Sequence, residues 1–405
     1  MRAAIRSVLF SAIQGIDLDF VRGRYASNSG YRSDFLGLPG ATYTRAGAAT
    51  AETAAGAIIN FAANVPRITD RGVLIEEART NLLLRSQEFD NAAWSKVEAT
   101  VTANATAAPD GTTTADALVE SSTAAAIHYV LPASGVGTIT ATETLSVYAK
   151  SAGRSWVLLQ LGSGRTAYFN VSTGVIGTTG GGTTATITAL ANGWYRCAIS
   201  GVRDANLNNI IYLASGDGVV SYTGNGTSGL FLWGAQLEAG AFPTSYIPTT
   251  AAAATRAADD MVLTGLNVRD GCTMYTEMLA PAGVTTDARI GLCDTSTSNQ
   301  LRQVWTPSTL SPTAVLSGAG TVVGGATVAA SAQIKAAFRH SAGVYSSSTN
   351  GGAVQTTVTT PLPVMTQYFV GRSASANVRH WNNYIRNVTI YQAALTDAQL
   401  QALTT

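Results

Sequence analysis

Short apolar segments recur at even intervals from residue 86 onward, and turn-forming residues separate them. In residues 230–237, Leu230 and Leu232 alternate with Phe231 and Trp233, and this period of two is typical of a strand with two differently packed faces. Asp110-Gly111 and Asn192-Gly193 offer positions that tolerate a positive φ. Many short strands joined by marked turns indicate a sandwich or a barrel. The chain is therefore predicted to be all-β.

Length and composition point to more than one such body. The 405 residues exceed what one hydrophobic core usually serves, which favours two or three domains. Charged residues make up only 12% of the chain, about half the usual share. After residue 237, Gly240, Pro243 and Pro248 interrupt any regular element. The small, nearly uncharged residues that follow predict a linker over 250–260.

The N-terminal residues and the overall charge limit the classes of partner. Apolar residues at helical spacing predict a short amphipathic helix that docks on another subunit or, alternatively, packs on its own domain; these attachment candidates are Ile5, Val8, Leu9 and Ile13. The apolar run is too short for a secretory signal, and no membrane insertion is predicted. A net charge of +1 without any basic run argues against nucleic-acid binding.

Two stretches carry a family resemblance. WGAQLEAG with PTSYIPTT and TRAADD, between Trp233 and Asp260, resembles the end of a sandwich module found in many bacteriophage tail and fibre proteins. Residues 67–96, RITDRGVLIEEARTNLLLRSQEFDNAAWSK, look like the entry to the same module. The resemblance implies a jelly roll similar to carbohydrate-binding modules over 86–249, preceded by an attachment or leader region over 1–85, in a virion setting.

The C-terminal segment carries a second, more general resemblance. HWNNYIRNVTIYQAALTDAQLQAL, residues 380–403, resembles the end of concanavalin-A-like and laminin-G-like domains, in which a last strand runs into a short helix. Thr396 is predicted as the N-cap of that helix, with Gln399 as its capping-box partner. A second jelly-roll sandwich is therefore predicted over 261–405.

These resemblances imply a phage virion structural protein, a fibre, spike or decoration component. It would attach to other virion subunits by its N-terminal region, form a homo-oligomer, most commonly a trimer, and display sandwiches that bind host surface polysaccharide. Only three cysteines, without metal-ligand spacing, agree with assembly in the host cytoplasm before the particle becomes extracellular. The alternatives are a purely architectural decoration or tail protein, and a polysaccharide-degrading tailspike.

Sugar binding needs an exposed aromatic ring surrounded by polar groups. Trp381 in a loop with His380, Asn382 and Asn383 is the first surface candidate, and Trp305 before a proline is the second. Further aromatic residues are considered as platforms: Trp94, Trp156, Tyr168, Tyr212, Tyr222 and Tyr384. Trp194 and Trp233 lie within alternating strands and are assigned to the core.

Acidic residues are too sparse for a strong catalytic or metal site. Asp287, Asp294 and Asn299 are the weak candidates for a structural Ca²⁺, in the absence of any EF-hand spacing, and no other cofactor is predicted. Glycan hydrolysis would require two carboxylates flanking the bond. The acids considered, Glu76 with Glu77, Glu238, and Glu277 with Asp287, are not framed by a catalytic motif, so no enzyme is predicted.

Charges are densest between residues 67 and 79. Arg67, Arg71 and Arg79 alternate with Asp70, Glu76 and Glu77 within thirteen residues. This pattern favours a salt-bridge network at a subunit or domain contact, and an ordinary solvated turn is the alternative.

Overall fold

The computed structural model describes residues 15–27, 30–281, 288–294, 299–306, 309–316, 319–322, 326–327, 329, 332–358, 361–374 and 379–405. The chain divides into two compact units. Unit 1 comprises the residues up to Ala48 together with Phe61–Glu77 and Ala257–Thr405, and unit 2 comprises Ala49–Asn60 and Ala78–Arg256. Both are built from antiparallel strands, which confirms the predicted all-β class.

The strands up to Arg256 are β1 (Ile16–Asp19), β2 (Arg24–Ser27), β3 (Gly30–Arg32), β4 (Ala41–Thr44), β5 (Ala49–Glu52), β6 (Ile58–Phe61), β7 (Ile68–Thr69), β8 (Gly72–Ile75), β9 (Arg79–Asn81), β10 (Trp94–Val97), β11 (Ala99–Thr106), β12 (Ala115–Glu120), β13 (Ala126–Ile127), β14 (Tyr129–Pro132), β15 (Thr142–Ala152), β16 (Trp156–Leu161), β17 (Arg165–Asn170), β18 (Val175–Thr179), β19 (Thr184–Ala189), β20 (Tyr195–Val202), β21 (Asn209–Ala214), β22 (Ser221–Tyr222), β23 (Gly229–Ala239) and β24 (Ala254–Arg256). Short 3₁₀ turns lie at Phe35–Gly37 and Ala191–Gly193.

The strands that follow are β25 (Asp260–Leu263), β26 (Cys272–Leu279), β27 (Ala288–Cys293), β28 (Gln300–Thr306), β29 (Thr309–Leu316), β30 (Ala319–Val322), β31 (Ala326–Thr327), β32 (Gln333–Ser341), β33 (Val344–Thr349), β34 (Gln355–Val358), β35 (Gln367–Phe369) and β36 (Asn383–Tyr391). The α-helix α1 (Asp397–Thr404) closes the chain.

Unit 1 is a sandwich of two sheets. One has the order β3-β2-β1-β36-β26-β32-β33-β34, with β7 and β8 attached beside β36. The other has the order β30-β29-β28-β27-β35-β25-β4, with β31 paired to β29. Side chains from both sheets, such as Met274 and Ile390 from the first and Leu292 and Tyr368 from the second, form one buried cluster. Burial of this apolar area between the sheets is what stabilises the unit.

Unit 2 is a second sandwich. Its two six-stranded sheets have the orders β10-β14-β21-β16-β17-β18 and β11-β12-β23-β15-β20-β19. Val157 and Phe169 of the first sheet pack with Val147 and Ile199 of the second in a fully buried core. Residues that alternate with these core positions must lie on the outer faces of the sheets, because successive strand residues point to opposite sides.

Several predicted turns and the C-terminal cap are confirmed. Asp110-Gly111 joins β11 to β12 with Gly111 at φ 83°, and Asn192-Gly193 precedes β20 with both residues at positive φ. Thr396 caps α1 by accepting from the Gln399 amide, and the Gln399 side chain accepts from the Thr396 amide at 2.8 Å. Local sequence signals of this kind need no tertiary information.

The division into units differs from the predicted boundaries. The region predicted as a separate leader, 1–85, contributes strands to both units, and β24, within the predicted linker, pairs with β9 in unit 2. Strands β1 and β8 both pair with β36, so the early segment completes a sheet whose remaining strands come from the C-terminal half. The predicted attachment helix with Ile5, Val8, Leu9 and Ile13 lies outside the described residues.

The predicted salt-bridge network exists for Arg67 and Glu76, and it lies inside unit 1. Arg67 pairs with Glu76 at 2.7 Å and with Asp259, and Arg45 pairs with Asp259 at 3.3 Å. All four side chains are at least 95% buried. Tyr43 also donates its hydroxyl to Asp259, so two cations and two anions compensate each other within the core.

Candidate functional site

The outer face of the sheet β10-β14-β21-β16-β17-β18 in unit 2 carries partly exposed aromatic side chains. On β16, Val157 and Leu159 point into the core, so Trp156, Leu158 and Gln160 occupy the outer face. The strand is apolar at nearly every position, and sequence alternation alone did not separate its two faces.

Four of these outward residues are aligned across the strands. Tyr129 lies opposite Tyr212, Tyr212 lies opposite Leu158, and Leu158 lies opposite Tyr168. Trp156 lies two residues from Leu158 on the same face of β16. We call these five residues the aromatic row. The three strand gaps from Tyr129 to Tyr168 span about 14 Å at the usual strand spacing.

Polar contacts hold the middle of the row. The Tyr212 hydroxyl donates to Oε1 of Gln160 at 2.9 Å, and the rings of Tyr129 and Tyr212 lie 5.1 Å apart between centroids. Burial, together with the proximity of Tyr129 and Tyr168, raises the pKa of Tyr212 to about 12. The phenol therefore stays protonated at neutral pH and remains a hydrogen-bond donor.

The backbone of the edge strand β18 lies against the Trp156 end of the row. A Cβ built on Gly177 would lie 2.8 Å from Cζ3 of Trp156 and 2.4 Å from Oδ1 of Asp217, so a larger residue here would displace the indole or the carboxylate. Asp217 accepts from the Thr178 amide at 2.8 Å and from the Thr178 hydroxyl at 3.0 Å. Burial and the Asp217 carboxylate raise the pKa of Tyr168.

This arrangement supplies the two elements of a sugar-binding surface. Ring faces offer apolar area on which the C–H groups of a pyranose stack, and phenol hydroxyls with a side-chain amide offer hydrogen bonds at the ring edges. The aromatic residues Trp156, Tyr168 and Tyr212 were among the sequence candidates. Tyr129, Gln160 and Asp217 were missed, because only the register between strands brings them together.

The first sequence candidates for exposed platforms are buried in unit 1. Trp381 is 0% exposed and donates its indole N–H to the Leu279 carbonyl at 2.8 Å. Trp305 is 2% exposed and belongs to the unit 1 core, on the same face of β28 as the buried Leu301. The prediction that these two rings form a surface is therefore wrong, since Trp305 on β28 and Trp381 in the segment before β36 both belong to the buried core of unit 1.

The neighbours of Trp381 are also engaged within unit 1. His380 is 2% exposed, and burial lowers the pKa of its imidazole. Oδ1 of Asn382 accepts from the Glu77 amide at 2.9 Å, and Nδ2 of Asn383 donates to the Ala280 carbonyl at 2.8 Å. The side chains of Trp94, Trp194, Trp233 and Tyr384 are buried as well.

The candidate metal ligands are not brought into a described site. Asn299 donates its amide to Asp294 at 2.6 Å, whereas Asp287 lies outside the described residues. Within the described part of the chain, no cluster of three or more histidine, cysteine or acidic side chains is placed to hold a metal ion. Nor does any described helix have the length and apolar character required to cross a membrane.

The acids considered for catalysis serve structural contacts where they are described. Glu76 belongs to the buried ion-pair network, and Glu238 accepts from the Gln236 amide and the Thr244 hydroxyl at 2.7 Å each. Glu277 accepts from Arg386 at 3.2 Å and from Gln333 at 2.6 Å.

Comparison with known proteins gives only distant likeness. No family model matches the chain, and no curated protein matches its sequence. A galectin from toad ovary in complex with N-acetylgalactose shares 11% identity over 32% of this chain and 96% of its own, with a TM-score of 0.23. Mouse laminin α1 domains LG4–5 share 10% identity over 68% of this chain and 90% of theirs, with a TM-score of 0.25.

A sialidase from Trypanosoma rangeli, in complex with sialic acid, shares 9% identity over 72% of this chain and 60% of its own, with a TM-score of 0.27. TM-scores of this size assign the chain to none of these folds and transfer no ligand. The β-sandwich architecture rests instead on the paired sheets and buried cores described above.

Proposed function

We propose that unit 2 is a glycan-binding module that holds a short segment of a polysaccharide on the aromatic row. The observation that carries this proposal is the row of partly exposed rings on one sheet face, in which Tyr129, Tyr212 and Tyr168 align across the strands through Leu158 of β16. A surface about 14 Å long is extended enough for a chain of sugars rather than a single ring. The Tyr212–Gln160 hydrogen bond fixes part of this surface before any ligand arrives, which lowers the entropic cost of binding.

We further propose that the protein is a virion component, a fibre, spike or decoration subunit, in which this module contacts host surface polysaccharide. The phage-like sequences between Trp233 and Asp260 and over residues 67–96 support this setting. Attachment through the N-terminal region, a homo-oligomer such as a trimer, and assembly in the host cytoplasm belong to the same proposal. Weak contacts at one module become effective when many copies bind together.

A purely architectural role is the second candidate, and it applies best to unit 1. The burial of Trp305 and Trp381 supports it, because both rings that were expected to meet a ligand serve the core instead. In this case unit 1 serves the architecture of the particle and binds no sugar itself.

A glycan array followed by calorimetry on the full chain tests the glycan-binding proposal. We expect Trp156→Ala and Tyr212→Ala each to raise the dissociation constant about two- to tenfold. This is the effect of losing an aromatic contact of about 0.5–1.5 kcal/mol. Tyr31→Ala is the control, since this tyrosine is 54% exposed in unit 1. The proposal is contradicted if neither Trp156→Ala nor Tyr212→Ala changes the affinity, or if the protein binds no glycan on the array.

The same preparation separates binding from hydrolysis. A bound polysaccharide incubated with the full chain is expected to keep its length, measured as the number of reducing ends over time. New reducing ends would favour the tailspike alternative and direct the search to a pair of carboxylates.

A further inference from the structure

A charged residue, Asp217, lies at the Trp156–Tyr168 end of the aromatic row. The Asp217 carboxylate and the Trp156 ring edge both lie against the Cβ position of Gly177. Asp217 is exposed, and its carboxylate accepts two hydrogen bonds from Thr178, from the amide at 2.8 Å and from the hydroxyl at 3.0 Å. A carboxylate has about four acceptor positions, so it retains capacity for a ligand's donors.

The outer face of the four strands that carry the row is otherwise uncharged. The outward residues of β14, β21, β16 and β17 are aromatic, aliphatic, hydroxyl or amide side chains. Arg165 lies on the same face of β17 as the inward residues Ala167 and Phe169. Its guanidinium donates to the carbonyls of Val202 and Gly181. Among the described residues of these strands, no cation therefore faces the row.

Charge and ring electrostatics act in the same direction at this end. The face of an aromatic ring carries negative partial charge and attracts cations. A carboxylate beside the ring attracts an ammonium group and repels a ligand carboxylate or sulfate. A sugar chain that lies along the row thus meets a region of negative potential at Trp156 and Tyr168.

We propose that the aromatic row selects neutral and amine-bearing sugar chains over acidic ones, with Asp217 as the residue that determines this selectivity. The inference rests on the proposed glycan-binding function and adds the class of ligand. Asp217 would accept hydrogen bonds from sugar hydroxyls or pair with a protonated amino sugar, while uronate or sulfated chains would be disfavoured.

Titration calorimetry with three pentasaccharides tests this selectivity: a glucosamine oligomer at a pH that protonates its amines, the N-acetylated form of the same oligomer, and an oligogalacturonate. We expect the glucosamine oligomer to bind about two- to fivefold tighter than its N-acetylated form, the size of an exposed ion pair or cation–π contact. The oligogalacturonate should bind most weakly. Added salt should narrow these differences.

The matched variants are Asp217→Asn and Asp110→Asn. Asp110 resembles Asp217 because it too accepts from the amide and the hydroxyl of one threonine, here Thr112, at 3.0 and 2.6 Å. Asp110 lies in the loop between β11 and β12, in the other sheet of unit 2. Asp217→Asn removes the carboxylate and keeps the rings, so the ratio of the two dissociation constants should fall toward one, whereas Asp110→Asn should leave that ratio unchanged. Circular dichroism of both variants checks that they fold.

The outcomes distinguish this inference from the function on which it rests. If all three oligosaccharides bind equally, or if Asp217→Asn keeps the preference, the row binds glycans and the charge selectivity is wrong. If the oligogalacturonate binds tightest, the selectivity is likewise overturned. If none of the three binds and the glycan array is also negative, the glycan-binding function itself fails.

Discussion

The core of unit 1 and the outer sheet face of unit 2 use the same aromatic residue types in opposite ways. Trp305 and Trp381 of unit 1 are buried, whereas Trp156 and Tyr212 of unit 2 lie partly exposed on the outer face of a sheet. Trp305 shares its side of β28 with Leu301, and Trp156 alternates with Val157 on β16. For an aromatic residue on a strand, the face of the strand rather than the type of ring decides whether the residue can meet a ligand.

The buried network of unit 1 and the surface of unit 2 beside the aromatic row also use charges differently. In unit 1, Arg45 and Arg67 pair with Asp259 and Glu76, and all four side chains are at least 95% buried. In unit 2, Asp217 lies at the surface beside the aromatic row. Charges removed from water specify a fold and are costly to leave unpaired, while an exposed charge contributes little to stability and remains available for a ligand.

The largest expected effect comes from breaking the buried network of unit 1. Arg67→Ala leaves Asp259 and Glu76 without their shared cation, and we expect the free energy of unfolding to fall by about 3–5 kcal/mol. Urea unfolding monitored by tryptophan fluorescence measures this fall in the free energy of unfolding. Arg22→Ala is the control, because Arg22 is 62% exposed in its pair with Asp19 and should cost less than about 1 kcal/mol. Equal costs for the two variants would contradict the contrast between buried and exposed charge.

An identical substitution in each unit sharpens the aromatic comparison. Trp381→Phe leaves the partly buried Leu279 carbonyl without its indole donor and opens a cavity, so we expect the free energy of unfolding to fall by about 2 kcal/mol with glycan binding unchanged. Trp156→Phe should cost less than about 0.5 kcal/mol and should weaken glycan binding instead. Urea unfolding measures the stability of each variant, and calorimetry measures its glycan affinity. A larger stability loss at Trp156 than at Trp381 would reverse the assignment.

A smaller effect concerns pH. Burial lowers the pKa of His380 in the folded protein below the ordinary value of 6.5, so the unfolded chain takes up a proton first as the pH falls. The free energy of unfolding should be at its full value above 6.5 and decrease from there down to the lowered pKa.

Urea unfolding at several values between about pH 5 and pH 8 follows this titration. His380→Asn should reduce the dependence of the unfolding free energy on pH in that range, whatever its effect on stability at neutral pH. A slope that is unchanged in this variant would assign the pH dependence to other groups.

Local signals predicted local structure well. Turn dipeptides such as Asn192-Gly193 and the Thr396–Gln399 capping box lie where the sequence places them, because a few neighbouring residues suffice to determine each. The candidate site was predicted only in part. Trp156 and Tyr212 were named, but Tyr129 joins them through strand pairing between residues 83 positions apart in the chain, Tyr129 and Tyr212.

The amino-acid sequence by itself determined the all-β class, the turns and the helix cap, since alternation and backbone preference act over a few residues. The tertiary structure alone decided that Trp305 and Trp381 are buried, that Arg67 pairs with Asp259 across 192 positions, and which side of each sheet faces outward. The physical reason is that burial and register depend on residues that are distant in the chain. A segment such as β16, apolar on both faces, does not indicate which face the opposite sheet will cover.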